Sequence, residues 1–276
     1  MKKILHILSQ RPEKTGSGIY LQSVLKEANK KGYKQAVIAG IPAEMNKVDL
    51  GNINKDNFYP VKFNTDELPF PVLGMSDVMP YPSTRYKDMT FNMLEKYKNA
   101  FRRVIKKAVK EFKPDLIITH HLWILTSLVR KISPDIKIIA ISHGTGIRQL
   151  KKVDKFEDDV LEGCQELDLV FALNKYQKMQ INRIYDIDKD KIIVMGAGFD
   201  KNIFYGPGKY RNDKDKIKIV YAGKLSHAKG VKFLVKAFNK LDDKRDENLK
   251  LKLVGEGNGK EFEEIKSLVK NSEAEI

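Results

Sequence analysis

Residues 217–241, "IKIVYAGKLSHAKGVKFLVKAFNKL", decide the fold. The first seven form an apolar run that ends at Gly223, as a buried strand would. From Lys229 onward, Val231, Leu234, Val235, Phe238 and Leu241 recur at helical spacing and predict an amphipathic helix over 229–241. Between them a short turn carries two lysines, Lys224 and Lys229. A strand, a tight turn and a helix are half of a strand–helix–strand unit.

The same unit repeats along the chain. Short apolar runs stand at 3–8 ("KILHIL"), 35–40 ("QAVIAG"), 115–120 ("DLIITH"), 136–142 ("IKIIAIS"), 168–173 ("DLVFAL"), 191–196 ("KIIVMG") and 249–255 ("LKLKLVG"). Most do not alternate polar with apolar, which marks parallel strands covered on both faces. Between two of them, residues 91–112 place Leu94, Tyr97, Phe101, Val104, Ala108 and Phe112 on one helical face. This alternation predicts an α/β protein with doubly wound, Rossmann-like parallel sheets. Ligands of such sheets bind beyond the carboxyl ends of the strands. The stretch 199–216, "FDKNIFYGPGKYRNDKDK", is rich in Gly, Pro and charge and predicts a boundary between domains 1–200 and 201–276. The second domain shows two clear strands, too few for a whole sheet, and is expected to be incomplete.

Composition narrows the function classes. The 276 residues are 42% hydrophobic, enough to bury a core and to exclude a disordered chain. The formal net charge of +15 favours anionic partners without choosing among them. Cys164 is the only cysteine, so neither an intrachain disulfide nor a cysteine-based zinc cluster is possible. His6 interrupts the apolar start before it reaches the length of a signal peptide, and no run approaches the ~18 apolar residues of a membrane span. A cytoplasmic location is expected, with a peripheral place at the inner face of the membrane open.

Three turns are candidate sites. Lys224 and Lys229 flank a strand-to-helix turn, where unpaired amides attract anions and two ammonium groups would neutralise a diphosphate. The alternative is two ordinary solvated lysines. In 9–25, "SQRPEKTGSGIYLQSVL", Gly16 and Gly18 would let a phosphate meet backbone amides. Leu21 stands where a dinucleotide fingerprint has its third glycine, and no acidic residue ends "QAVIAG", so a plain turn competes with that reading. His120, His121 and His143, in "THHLW" and "SHGTG", end what should be neighbouring strands. Adjacent His120 and His121 would point to opposite sides of a strand, which argues against a shared metal.

Six segments, taken in order, resemble family 4 glycosyltransferases of the GT-B fold. "TGSGIYLQSVLKEANKKGYKQAVIAG" is similar to the family's first Gly-rich loop, helix and second strand, and "SHG" to its strand-end histidine. "LDLVFALNKYQ" resembles the strand before the interdomain segment, and "VMGAGFDKNIF" a signature in which Gly196-Ala197 replaces the usual Asn-Gly. "YAGKLSHAKGVKFLVKAF" resembles the cationic phosphate turn, with Lys224 where arginine is commonest, and "LKLVGEGNGKEFEEI" the following strand and turn.

The resemblance implies a retaining transferase that moves a hexosyl unit from a nucleotide-diphosphate sugar, a UDP-sugar favoured, to a sugar or lipid-linked acceptor in cell-envelope polysaccharide or glycolipid synthesis. Lys224 and Lys229 would grip the donor diphosphate beside Gly223, and Gly16, Ser17 and Gly18 would approach the same phosphates. His143 would contact the donor sugar, and Gly255, Glu256 and Gly257 would lie near the base. The donor is a substrate, so no cofactor and no metal is implied. The family's late pair of glutamates has no counterpart; Glu263 and Glu264 come too early, so the chain as given would lack part of its donor pocket and its activity.

The acceptor side is expected in the Pro- and aromatic-rich stretch 65–90, with Tyr81, Arg85 and Tyr86, and at His120 and His121. A basic helical face (Lys96, Arg102, Arg103, Lys106, Lys107, Lys110, Lys113) would suit anionic lipid. The competing enzyme reading is a GT-B sugar-nucleotide epimerase or a phosphorylase. The competing non-enzyme is a basic polyanion binder, but no nucleic-acid module or stacking platform is visible and nucleic acid is not expected as a partner.

Overall fold

The computed structural model describes residues 2–51, 53–206, 217–242, 249–257 and 259–272. The charged segment 207–216 lies outside them. The chain divides into two compact units, Met1–Gly198 and Phe199–Ile276.

The first unit runs β1 (Lys3–Leu8), α1 (Gly16–Lys30), β2 (Lys34–Pro42), β3 (Phe58–Phe63), β4 (Leu73–Gly74), β5 (Thr84–Arg85), α2 (Phe91–Phe112), β6 (Leu116–His120), α3 (Ile124–Ile132), β7 (Lys137–Ile141), α4 (Thr145–Leu150), α5 (Glu157–Cys164), β8 (Leu169–Ala172), α6 (Lys175–Tyr185) and β9 (Ile192–Val194). Seven strands form one parallel sheet in the order β3-β2-β1-β6-β7-β8-β9. Successive side chains of a strand face opposite ways, and the central strands therefore feed two cores. Leu5, Ile7, Ala36 and Ile38 join the core that includes Leu94, Tyr97 and Phe101 of α2. Leu8, Val37 and Ala39 join the core of Leu21 and Leu25 of α1. Each large side chain buried this way contributes about 1.5–3 kcal/mol.

Three local expectations change. The buried face of α2 contains Ile105, while Val104 is only partly covered. β3 was not expected, because Pro60 interrupts its reading; it is an edge strand, where a missing ladder N–H is tolerated. The stretch 65–90 is no free loop. It lays Leu68, Phe70, Val72, Leu73, Met75, Tyr86 and Met89 into the main core.

The strand ends are tied by one carboxylate. Asp168 accepts from the Ile138 amide (2.8 Å), Lys137 Nζ (2.9 Å) and Arg130 (3.0 Å). Those bonds and charges hold its pKa below the usual carboxylate value despite a burial that opposes them. Asp168→Ala is expected to lower stability by about 2 kcal/mol, because the buried Arg130 loses its counter-charge. Urea denaturation of the variant at neutral pH checks this; a midpoint equal to the wild type would contradict it.

The second unit pairs β10 (Ile217–Ala222) with β11 (Leu249–Val254) in parallel, with α7 (Val231–Asp242) and α8 (Gly259–Lys270). Its core gathers Val231, Val235 and Ile265. α7 starts two residues later than expected. His227–Lys229 form a separate 3-10 turn, and Gly230, at φ 75°, ends it before its carbonyl receives Leu234 N. Lys229 therefore precedes the helix instead of opening it.

Candidate functional site

The carboxyl ends of β6 and β7 bring the three histidines together. His120 is the last residue of β6, and His121 leaves the strand in the left-handed region, at φ 70°. A β-strand would send adjacent side chains apart; the turn at His121 removes that constraint, which corrects the sequence argument. His120 Nδ1 lies 3.1 Å from His143 Nε2. The rings of His121 and His143 stand 4.8 Å apart between centroids. A left-handed non-glycine residue carries roughly 1 kcal/mol of strain or more. It is held here by His121 N–H to Ile141 O (2.9 Å) and by the Thr126 hydroxyl, which donates to His121 O (2.6 Å). Thr145 Oγ1 meets His121 Nδ1 at 2.7 Å.

Electrostatics keep the group neutral. Burial lowers His143 to about 4 and takes His120 and His121 well below their ordinary value, with His143 adding repulsion. Among the described residues no three His, Cys, Asp or Glu side chains have the arrangement of a metal site. Tyr20, which the sequence reading did not single out, sets its ring edge-on to His143 (5.3 Å) and to His120 (6.3 Å). Its position on the first helix, one turn after the Gly-rich segment, was the available signal.

Gly16, Ser17 and Gly18 are the first turn of α1, not a loose loop. Thr15 caps the helix, its hydroxyl accepting from Gly18 N at 3.0 Å. Gly18 amide is thus committed, and Ser17 Oγ accepts from Gln10 Nε2 at 2.6 Å. The amides of Gly16 and Ser17 remain the uncapped donors of the turn. Gly18 has a structural reason of its own: a Cβ there would stand 2.7 Å from the Pro12 carbonyl carbon.

The proposed acceptor trio separates. Tyr86 is fully buried against Trp123, with ring centroids 5.4 Å apart, so it is a core residue and reaches no acceptor from there. Arg85 is exposed and paired with Asp88. Tyr81 packs its ring under the Arg11 guanidinium at 4.9 Å. His120 and His121 are almost wholly buried, which leaves His143 as the one partly accessible member of the three.

In the second unit, Lys224 and Lys229 are exposed and form no ion pair among the described residues. Two hydrogen bonds tie down the turn between them. Tyr221 donates its hydroxyl proton to Lys224 O at 2.8 Å, and Leu225 N donates to Glu256 O at 2.8 Å. Gly223 and Gly255 cross where the two strands end. A Cβ on Gly255, whose φ is 151°, would lie 1.8 Å from Gly223 O, so the crossing excludes any side chain. Gly257 packs under Phe262. Gly255 and Gly257 are therefore demanded by close contact whatever they bind, while Glu256 lends the turn only its backbone carbonyl. Residues 188–190, "DKD", enter a 3-10 turn, Lys189–Lys191, that Asp188 caps, and the same tripeptide at 213–215 lies outside the described residues.

The seven-stranded parallel sheet with its polar group at the carboxyl ends, and the strand–turn–helix unit with its exposed cations, define a protein of the GT-B fold. The sucrose-phosphate synthase of Thermosynechococcus elongatus superposes at TM-score 0.64 with 14% identity, over 99% of this chain and 68% of its own. The HepE protein of Anabaena, solved with UDP and glucose, superposes at 0.59 with 14% identity, over 98% of this chain and 66% of its own. The model of Glycosyltransferase Family 4 matches residues 15–202, and that of Glycosyl transferases group 1 matches residues 207–276. The chain belongs to glycosyltransferase family 4. An uncharacterized glycosyltransferase of Methanocaldococcus jannaschii is 28% identical over 55% of this chain. The chain spans 42% of that relative's length.

Proposed function

We propose that the protein is a retaining glycosyltransferase that moves a hexosyl unit from a nucleotide-diphosphate sugar to a sugar or lipid-linked acceptor. Lys224 and Lys229 carry this reading. They are two exposed ammonium groups, with no ion pair among the described residues, on a hydrogen-bonded turn at the carboxyl end of β10. When the bond between the sugar and the diphosphate breaks, negative charge grows on the departing phosphate oxygen. Cations gathered there lower the barrier by stabilising that charge, as the donors of an oxyanion hole do. The HepE structure bound to UDP and glucose supports UDP-sugars as the first donors to examine. Half-buried His143 is suited to a sugar hydroxyl. The exposed Lys106, Lys107 and Lys110 of α2, with Lys113 just beyond its end, are the residues to test for contact with anionic lipid. No described helix is long and apolar enough to cross a membrane.

Calorimetry with UDP, GDP and ADP, and with their sugars, tests the donor site. One nucleoside diphosphate is expected to bind, and Lys229→Ala or Lys224→Ala is expected to weaken it about tenfold, the loss of one charge-assisted contact. Binding unchanged in both variants would remove the diphosphate role. An epimerised product from donor alone, without acceptor, would move the activity to the epimerase class.

A further inference from the structure

His143 is the partly accessible member of the histidine group, and the position of its proton decides what it can offer. Its Nε2 faces His120 Nδ1 at 3.1 Å, with the ring planes only 9° apart. His143 Nδ1 has no hydrogen-bond partner among the described residues. Neutral imidazole has one N–H and one lone pair, so the contact allows two arrangements. In one, His143 Nε2–H donates, and His120 must carry its own proton on Nε2. That atom is buried without a partner, so the arrangement leaves an orphaned N–H inside the protein. In the other, His120 Nδ1–H donates to the lone pair of His143 Nε2. The buried His120 Nε2 is then a bare acceptor. Orphaned buried N–H groups are rare, while under-satisfied acceptors are tolerated more often. Tyr20, edge-on to both rings, keeps them in this mutual orientation.

We infer that His120 is a positioning residue: its Nδ1–H locks the proton of His143 onto Nδ1, so that His143 presents a hydrogen-bond donor at the end of the sheet. The matching ligand group is an oxygen acceptor, such as a sugar hydroxyl oxygen. That the ligand is a sugar rests on the function proposed above; the proton assignment does not.

Two-bond proton–nitrogen correlation spectra of the full chain, labelled with nitrogen-15 histidine, read the tautomers directly. They need no nucleotide and no sugar, so a failure of donor binding in calorimetry leaves this inference standing, and the reverse also holds. His143→Gln identifies the His143 signals. The wild type is expected to show the Nδ1–H pattern for His143. An Nε2–H pattern there would overturn the assignment. His120→Asn, whose amide N–H can stand where Nδ1–H stood, is expected to keep that pattern. His120→Leu is expected to shift His143 toward the Nε2–H form. If Asn and Leu give the same pattern, the lock does not come from His120 and the inference fails; should His120→Leu not fold, the wild type and His120→Asn still decide it.

Discussion

Acidification from pH 7 to pH 4.5 is expected to strip the first unit of most of its stability. His6 is completely buried, with Nε2 on Gln35, and its pKa falls to about 4. His143 also falls to about 4, and His120 and His121 are lowered well below 6.5. In the unfolded chain each would titrate near 6.5. Between pH 6.5 and 4 the unfolded state therefore binds more protons than the folded one. Stability is fully present above the unfolded value and is lost as pH falls through this window. A shift from 6.5 to 4 corresponds to about 3 kcal/mol for one histidine. Two such residues approach the whole stability of an ordinary domain, about 5–15 kcal/mol. Asp77 and Asp168 have lowered values, so they add acid sensitivity only below the histidine window. Thermal or urea midpoints measured every half unit of pH check this. A flat profile from pH 7 to pH 4.5 would mean that the histidines accept protons without unfolding. His6→Leu should flatten part of the slope.

Gly146→Ala has the second large effect. Gly146 lies in α4 with the backbone of an ordinary helical residue, so alanine is not strained by φ. The obstacle is space. A Cβ there would sit 2.2 Å from Leu122 O and 3.2 Å from the Tyr185 hydroxyl. Tyr185 donates to that same Leu122 carbonyl at 2.8 Å. Relief of the clash means moving α4 off the β6–α3 connection and breaking a buried bond, at a cost of about 3 kcal/mol. The same shift would draw Thr145 away from His121. Denaturation followed by the fluorescence of Trp123, the single tryptophan, reports directly on this region. Gly16→Ala serves as the comparison, since its Cβ meets nothing within 4 Å. It should be neutral or slightly stabilising. Equal midpoints for wild type and Gly146→Ala would show that α4 yields freely.

The strands of the central sheet were readable because each is a continuous apolar run, and β1 and β2 are buried on both faces along almost their whole length. β3 was not, since Pro60 breaks the run and only its place at the sheet edge makes the proline harmless. Tyr86 and Tyr81 look alike in a Pro-rich stretch; burial sends one into the core and leaves the other under Arg11. Lys229 was placed one short turn wrong because the left-handed Gly230 separates a 3-10 turn from α7 without any change in apolar spacing.

By itself the amino-acid order determined the alternation of strand and helix, the parallel sheet and the family, because hydrophobic period and short motifs are local properties. The union of Tyr20, His120, His121 and His143 was decided only in three dimensions. Their rings meet because parallel pairing of β6 with β7 aligns two strand ends, and because one left-handed residue, held by Ile141 and Thr126, turns His121 back toward its neighbours. Contacts between residues far apart in the chain have no spacing from which they could be read.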